Sequence, residues 1–343
     1  MNSKLVAVAA AGFLVSVGVA SAANNIIPRT IAMELFTASW CGYCPAADAA
    51  MEQIAEEEGS AGAVVIEYHV NDALSTGDGN VRDTYYGVTG TPTMFFDGVS
   101  KIVGAGGNMY SAYRQRFDGR RDYDPAIEIK LDGQMGANSW TVSGRLEVVE
   151  QIWQRGNPVA RIFLTEDNLR AGNRDYNHVL RKTIAQIPLS GKKVGDVTTF
   201  SQSVDISGAW KLDDLNAVVV VQEDQFSEIL GAKQLPEVVV SVQEDSYTVQ
   251  RGSSLDFDIQ LKNITTKSQS NRMWFKAFRN GNQVGPDPIF ARQVTTQAGQ
   301  TQDLSLSYGV GSGVRAGTYE VAVWLGPNAD EPTEWDTFTV IVQ

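Results

Sequence analysis

Cysteine is nearly absent from this chain: Cys41 and Cys44 are the only two among 343 residues. Such scarcity argues against a disulfide-stapled scaffold, and with no second C-x-x-C a four-ligand zinc site would need both of the only histidines, His69 and His178, which show no ligand spacing. Long apolar runs are equally scarce beyond the first 22 residues. The longest of these, around Val218 to Val221, is strand length and gives no later candidate for a membrane helix. Positive charge is in deficit too, with 28 Lys and Arg against 40 Asp and Glu and a formal net charge of -12. An acidic chain repels phosphate backbones, so nucleic acid is not an expected partner. No short-period repeat and no low-complexity tract is present.

The N-terminus carries one positive charge, Lys4, then an apolar run from Leu5 to Ala20 and the A-x-A pattern Ala20-Ser21-Ala22. This reads as a secretory signal peptide over residues 1–22, with no lipobox cysteine after it. Cleavage removes Lys4 and no acid, taking the formal charge from -12 to -13. Export would place the two cysteines where disulfides persist, with a bacterial periplasm or surface as the expected location.

Cys41 and Cys44 lie in Ser39-Trp40-Cys41-Gly42-Tyr43-Cys44-Pro45, after the strand candidate Ile31 to Phe36. Pro45 to Glu58 has helical spacing with Gly59 as its stop, and Ala63 to Val70 is a second strand. A polar loop leads to a short helix ending at Tyr85-Tyr86-Gly87. Thr91-Pro92-Thr93 then opens a strand through Phe96, with a proline bond that sequence allows to be cis, and Asp97-Gly98 turns into a partner strand ending at Val103. Asn108 to Arg121 closes with a helix. Beyond Tyr123-Asp124-Pro125 the pattern changes to strands: Ala126 to Leu131, Trp140 to Val149, Val159 to Thr165, Val197 to Ile206 and Leu215 to Gln222. A further boundary falls at Gln234-Leu235-Pro236.

The W-C-x-x-C-P motif on a strand-to-helix turn, followed by T-P-T and the order β-α-β-α-β-β-α, resembles the thioredoxin superfamily. The expected architecture is an α/β thioredoxin-like domain over residues 23–124, then two all-β sandwich domains over 125–235 and 236–343. Regular strand spacing and Ala316-Gly317-Thr318-Tyr319, which resembles a tyrosine corner, make the last one immunoglobulin-like. The layout, with Leu164-Thr165-Glu166-Asp167 and Tyr176-Asn177-His178-Val179-Leu180-Arg181, also resembles the bacterial family named after a 28-kilodalton outer membrane protein.

That resemblance implies Cys41 as the attacking sulfur and Cys44 as the resolving one. Trp40 would cover one side of the pair, and Thr91 with Pro92 would pair with an extended substrate. The superfamily's buried acid falls on Leu35 here, so the possible proton acceptor is its neighbour Glu34, which faces the other side of the strand unless the strand bulges. Gly42-Tyr43 between the cysteines leaves the potential open over roughly -270 to -120 mV. His69 and His178 read as structural. No metal and no cofactor beyond the cysteine pair are expected. Met33, Met51 and Met94 read as core and not as a copper site, Gly104 to Gly107 as a loop and Asp78-Gly79-Asn80 as a turn.

Two functions compete on this sequence. One is an exported thiol-disulfide oxidoreductase acting on a protein client, its β-domains docking that client or the cell surface. The other is a surface or periplasmic scaffold or ligand-binding protein that keeps an idle disulfide in a non-catalytic thioredoxin-like module.

Overall fold

A computed structural model describes residues 29–343 except 137, 153–155, 207 and 209; the expected signal peptide lies outside the described residues. The first region runs β1 (Ile31–Thr37), α1 (Cys44–Gly62), β2 (Ala63–His69), α2 (Gly77–Tyr86), β3 (Thr93–Phe96), β4 (Ser100–Val103) and α3 (Met109–Arg121). This is the element order expected from the sequence. β1 and β2 pair in parallel, and β3 returns antiparallel to β1. Every residue of β1 and β2 is buried, because both faces of the sheet are covered. The odd positions of β1, Ile31, Met33 and Leu35, pack with α1 and α3, and the even positions Ala32 and Phe36 pack on the opposite face.

The middle region comprises β5 (Ile127–Met135), β6 (Ser139–Val148), β7 (Pro158–Glu166), β8 (Leu169–Ala171), β9 (Arg174–Tyr176), β10 (Val179–Pro188), β11 (Val197–Asp205), β12 (Leu215–Glu223) and β13 (Ile229–Gln234). β5, β6 and β11 form a three-stranded sheet with alternating burial along β6. It covers one face of β7 and β12 across a cluster that includes Trp140, Ile162 and Val219.

The middle region is not separated from the first at residue 124. A single eight-stranded sheet runs β13-β12-β7-β10-β2-β1-β3-β4, so strands from both regions share it. The join is narrow: Val179 pairs with Glu67 in parallel, and the Glu67 N–H donates to the His178 carbonyl at 2.9 Å. The apolar cluster on this face is shared as well, Phe36, Tyr68 and Phe95 packing with Phe163, Leu180 and Val218.

The C-terminal region holds β14 (Val238–Val242), β15 (Ser246–Val249), β16 (Ser254–Asn263), β17 (Gln269–Arg279), β18 (Asn282–Val284), β19 (Phe290–Thr296), β20 (Thr301–Gly309), β21 (Gly317–Gly326) and β22 (Glu334–Val342). β14, β16 and β20 form one sheet and the other six a second, with one apolar cluster between them. The Tyr319 hydroxyl donates to the Arg315 carbonyl at 2.7 Å.

This region also grips the end of α1. Gly59 has φ +60, a conformation that favours glycine, and a Cβ there would strike the Pro332 carbonyl. Two residues on, the Ala61 N–H donates to that same carbonyl at 3.0 Å. Lys233 and Glu334, 2.6 Å apart and buried, tie β13 to β22. The chain is therefore mostly β with several sheets and three α-helices among the described residues.

Candidate functional site

The two cysteines form a disulfide at the N-terminus of α1. Cys44 is the first helical residue, and Pro45 follows at a position where a missing N–H costs no intrahelical bond. The Cys44 N–H points at Cys41 Sγ from 3.1 Å. That amide, together with the helix dipole, favours negative charge on Cys41 once the bond is reduced. Exposure divides the pair in the same sense, at 7% for Cys41 and 0% for Cys44.

The Thr91–Pro92 bond is cis, and the Thr91 carbonyl oxygen lies 3.6 Å from Cys41 Sγ. Thr91, with Pro92 after it, thus borders the cysteine pair. Trp40 lies beside it with a different contact set. Its Nε1–H donates to the Val70 and Asn71 carbonyls at 3.2 and 3.1 Å, while the side chain stays 62% exposed. Tyr43, between the cysteines, is 71% exposed. Two aromatic faces therefore flank the disulfide in solvent.

Glu34 is not brought to the pair. β1 pairs with β2 and β3 in unbroken register, so no bulge turns Glu34 toward α1. It lies on the α2 face instead, where its carboxylate accepts from Arg82 at 2.6 Å, from the Tyr68 hydroxyl at 2.7 Å and from the Tyr86 hydroxyl. Arg82 in turn donates to Gln222 of β12 at 2.9 Å and stacks over Tyr85 and Tyr86. This buried network fastens α2 to the sheet, on Glu34 of β1 and Gln222 of β12. The proton acceptor suggested at Glu34 is occupied elsewhere.

The acids near Cys44 come from α1 itself. Asp48 and Glu52 follow Cys44 at i+4 and i+8, which places all three along one side of the helix. Beneath them, Thr37, Glu67 and His69 occupy the odd, α1-facing positions of β1 and β2. Thr37 Oγ1 donates to Asp48 at 3.0 Å. Burial pushes the Asp48 carboxyl up to about 6, against the opposing pull of Arg174, Thr37 and His69. Fully buried Glu67 is pushed well above the usual carboxylate range, chiefly by burial and then by the charges of Asp48 and Glu52. Its Oε2 lacks a hydrogen-bond partner, as does His69 Nε2, 3.7 Å away. On its other side His69 Nδ1 meets Asp72 at 2.7 Å, and burial lowers its pKa.

The middle region completes this cluster. Arg174 of β9 reaches Asp48 at 3.2 Å, Tyr176 packs edge-on against the His69 ring at 4.6 Å, and His178 stands 3.7 Å from Glu52. Burial opposes charge on His178, yet Glu52 and Asp167 raise its pKa. Both histidines therefore belong to one buried ionisable group, where the sequence offered no constellation. The visible signal was the Cys44, Asp48, Glu52 spacing on one helix. Arg174 carried no such signal, because it arrives from a hairpin 126 residues away from Asp48.

Among the described residues, no group of three or more His, Cys, Asp or Glu is placed to hold a metal ion, and no helix is long and apolar enough to cross a membrane. Asp78-Gly79-Asn80 is not a turn but the start of α2, capped by Thr76, whose Oγ1 accepts from the Gly79 N–H at 3.0 Å.

No family model matches the chain. No curated protein matches it either. Among solved structures, HBP35 of Porphyromonas gingivalis is similar over 92% of this chain and 99% of its own, at 17% identity and a TM-score of 0.51. That likeness is one of fold, and it runs through all three regions. A domain of the outer membrane lipoprotein Omp28 from Porphyromonas gingivalis matches 33% of this chain and 91% of its own, at 15% identity and a TM-score of 0.25. A beta-glucosidase from Listeria innocua in complex with isofagomine matches 32% of this chain and 16% of its own, at 16% identity and a TM-score of 0.25. Scores that low carry no argument about this protein.

Proposed function

We propose that this chain is an exported thiol-disulfide oxidoreductase in which a thioredoxin-like region supplies the chemistry and two β-regions, the last immunoglobulin-like, support a protein client or attach the molecule to the cell surface. The observation that carries this reading is the disulfide itself, with the Cys44 amide on Cys41 Sγ and the Thr91 carbonyl 3.6 Å beyond it. A structural staple gains nothing from either contact, and a loop this short constrains little of the unfolded chain.

In the reduced protein the Cys41 thiolate attacks a client disulfide, forming a Cys41–client bond and releasing one client thiolate. Cys44 then loses its proton and attacks Cys41 Sγ, which frees the second client thiolate and closes the Cys41–Cys44 disulfide. Two electrons pass to the client, and the protons of the dithiol pass to the released thiolates or to water. Reduction by an external dithiol restores the starting state. Asp48 is the acceptor we assign for the Cys44 proton, since it lies one turn further along α1 and burial pushes its carboxyl up to about 6. Thr91 and Pro92 border the attacking sulfur, and Trp40 and Tyr43 offer apolar surface to the client chain.

Equilibration of residues 23–343 with glutathione buffers tests the proposal. The expected result is a reduction potential within roughly -270 to -120 mV and insulin reduction that Cys41→Ser abolishes. A disulfide that resists reduction well below about -300 mV, with no exchange on any substrate, would establish the idle-module reading instead.

A further inference from the structure

A cavity of about 280 Å³ opens between the two sheets of the C-terminal region, lined only by residues of that region. Protein interiors pack as densely as organic crystals, and an apolar cavity of about 150 Å³ already admits benzene. This space is therefore ligand-sized.

Its walls are set by strand alternation. Leu255 of β16 and Leu306 of β20 face Phe275 of β17 and Val340 of β22 across the gap. The same sheets close completely at their other end, where Ile259 and Leu261 are 0% exposed, while Leu255 and Phe257 keep 6% and 7%. The core thus opens toward solvent at the end where Ser254 pairs with Gly309. Beyond that pair the segment Gly309 to Gly313 carries three glycines in five residues and lines the space through Gly309, Val310 and Gly311. No Asp, Glu, Lys or Arg is among the lining residues. An ionised group inside would be stripped of water without a partner, which admits only the apolar part of a ligand.

Arg279 stands beside the lining. The Arg279 guanidinium stacks over the ring of Tyr319, a wall residue, at 5.4 Å, and its Nη2 donates to the Ala316 carbonyl at 3.0 Å. An apolar interior with a fixed positive group next to its wall is complementary to a single acyl chain that ends in an anion. We infer that the C-terminal region binds a fatty acid, its chain between the two sheets and its carboxylate at Arg279. The inference is independent of the cysteine chemistry.

The test titrates residues 23–343 with the fluorescent fatty acid cis-parinaric acid, displaces it with dodecanoate or dodecanol, and measures flotation with phosphatidylglycerol vesicles in parallel. The expected results are saturable binding, displacement by dodecanoate and no flotation. Leu306→Trp and Ala277→Phe fill the cavity from opposite walls, and each should weaken binding at least tenfold. Thermal melting checks that each variant is folded, and one folded variant is enough to decide. Arg279→Met should weaken dodecanoate about tenfold and leave dodecanol unchanged. Unchanged binding in a folded cavity-filling variant, or no saturable binding in the wild type, would overturn the assignment. Flotation that persists in the filled variants would transfer the surface to a membrane and overturn it equally.

Discussion

Arg174 and Asp48 meet at 3.2 Å across the join between two regions, the guanidinium from β9 and the carboxylate from α1, one turn after Cys44. The charge that holds Asp48 down is thus supplied from outside the region that carries the cysteines. A separable redox domain would lack this control.

Arg174→Met should move the pH profile of client release upward by on the order of one unit, because removing the cation lets burial raise the Asp48 pKa further above about 6. The resolving step fails once Asp48 is protonated, so the loss of rate would begin at higher pH. Arg174→Lys should restore most of the original profile. Stopped-flow resolution of a Cys41 mixed disulfide from pH 5 to 9 measures it, and coincident profiles for wild type and Arg174→Met would reject the coupling.

Asp48→Asn should alter stability in a pH-dependent way. Burial raises the folded pKa of Asp48 from 3.8 to about 6. The protonated form is therefore the one that folding favours. Its stabilisation is complete below about pH 4 and is lost as pH rises through about 6, a change of about 3 kcal/mol for a shift of this size. Relative to wild type, the Asn variant should gain up to that amount between pH 4 and 8. Urea unfolding at the two pH values provides the comparison, and a constant difference would place the buried charge elsewhere.

In the reduced protein Cys41 should be alkylated readily and Cys44 barely at all, following the exposure difference and the amide directed at Cys41 Sγ. Cys44→Ser should accumulate mixed disulfides through Cys41. Mass spectrometry after timed iodoacetamide treatment reads both outcomes, and equal rates across pH 5 to 9 would contradict the assigned roles.

Arg82→Met should cost about 3–5 kcal/mol by leaving Glu34 buried without its cation. Alkylation of Cys41 should stay unchanged, since Glu34 faces away from α1. A redirected pH dependence of the thiols would return Glu34 to the proton path.

A chain ending at residue 124 should not give a stable monomer, whereas one ending at 235 should fold. The shorter chain exposes the β2 edge and the apolar face that Phe163, Leu180 and Val218 cover. Each fully buried side chain of this size is worth about 1.5–3 kcal/mol. Circular dichroism and gel filtration of the two fragments test this.

Local signals made much of the fold legible. Apolar runs marked β1 and β2, Gly59 marked the break in α1, and Pro125 preceded the change to strands. The pairing of β10 with β2 left no such mark. Its sequence lacks clear alternation, two register shifts interrupt its ladder with β7, and its contact with β2 is a single aligned pair. The cysteines and Thr91–Pro92 were visible as a motif. The spacing of Asp48 and Glu52 after Cys44 was visible too, but not their burial, since only the arrival of the β8–β9 hairpin and of His178 buries them. Long-range pairing, absent from any local window, accounts for both omissions.

α1 spans from the disulfide to the contact with Pro332, and its two ends answer to different parts of the molecule. Cys44 and Gly59 are fifteen residues apart, about 22 Å at the helical rise. Inserting one residue between them would turn everything beyond it by about 100° and push it 1.5 Å along the axis. Either the Asp48 and Glu52 side would lose Arg174 and His178, or Gly59 and Ala61 would lose Pro332. The helix is therefore a gauge of fixed length between the cysteines and the C-terminal region.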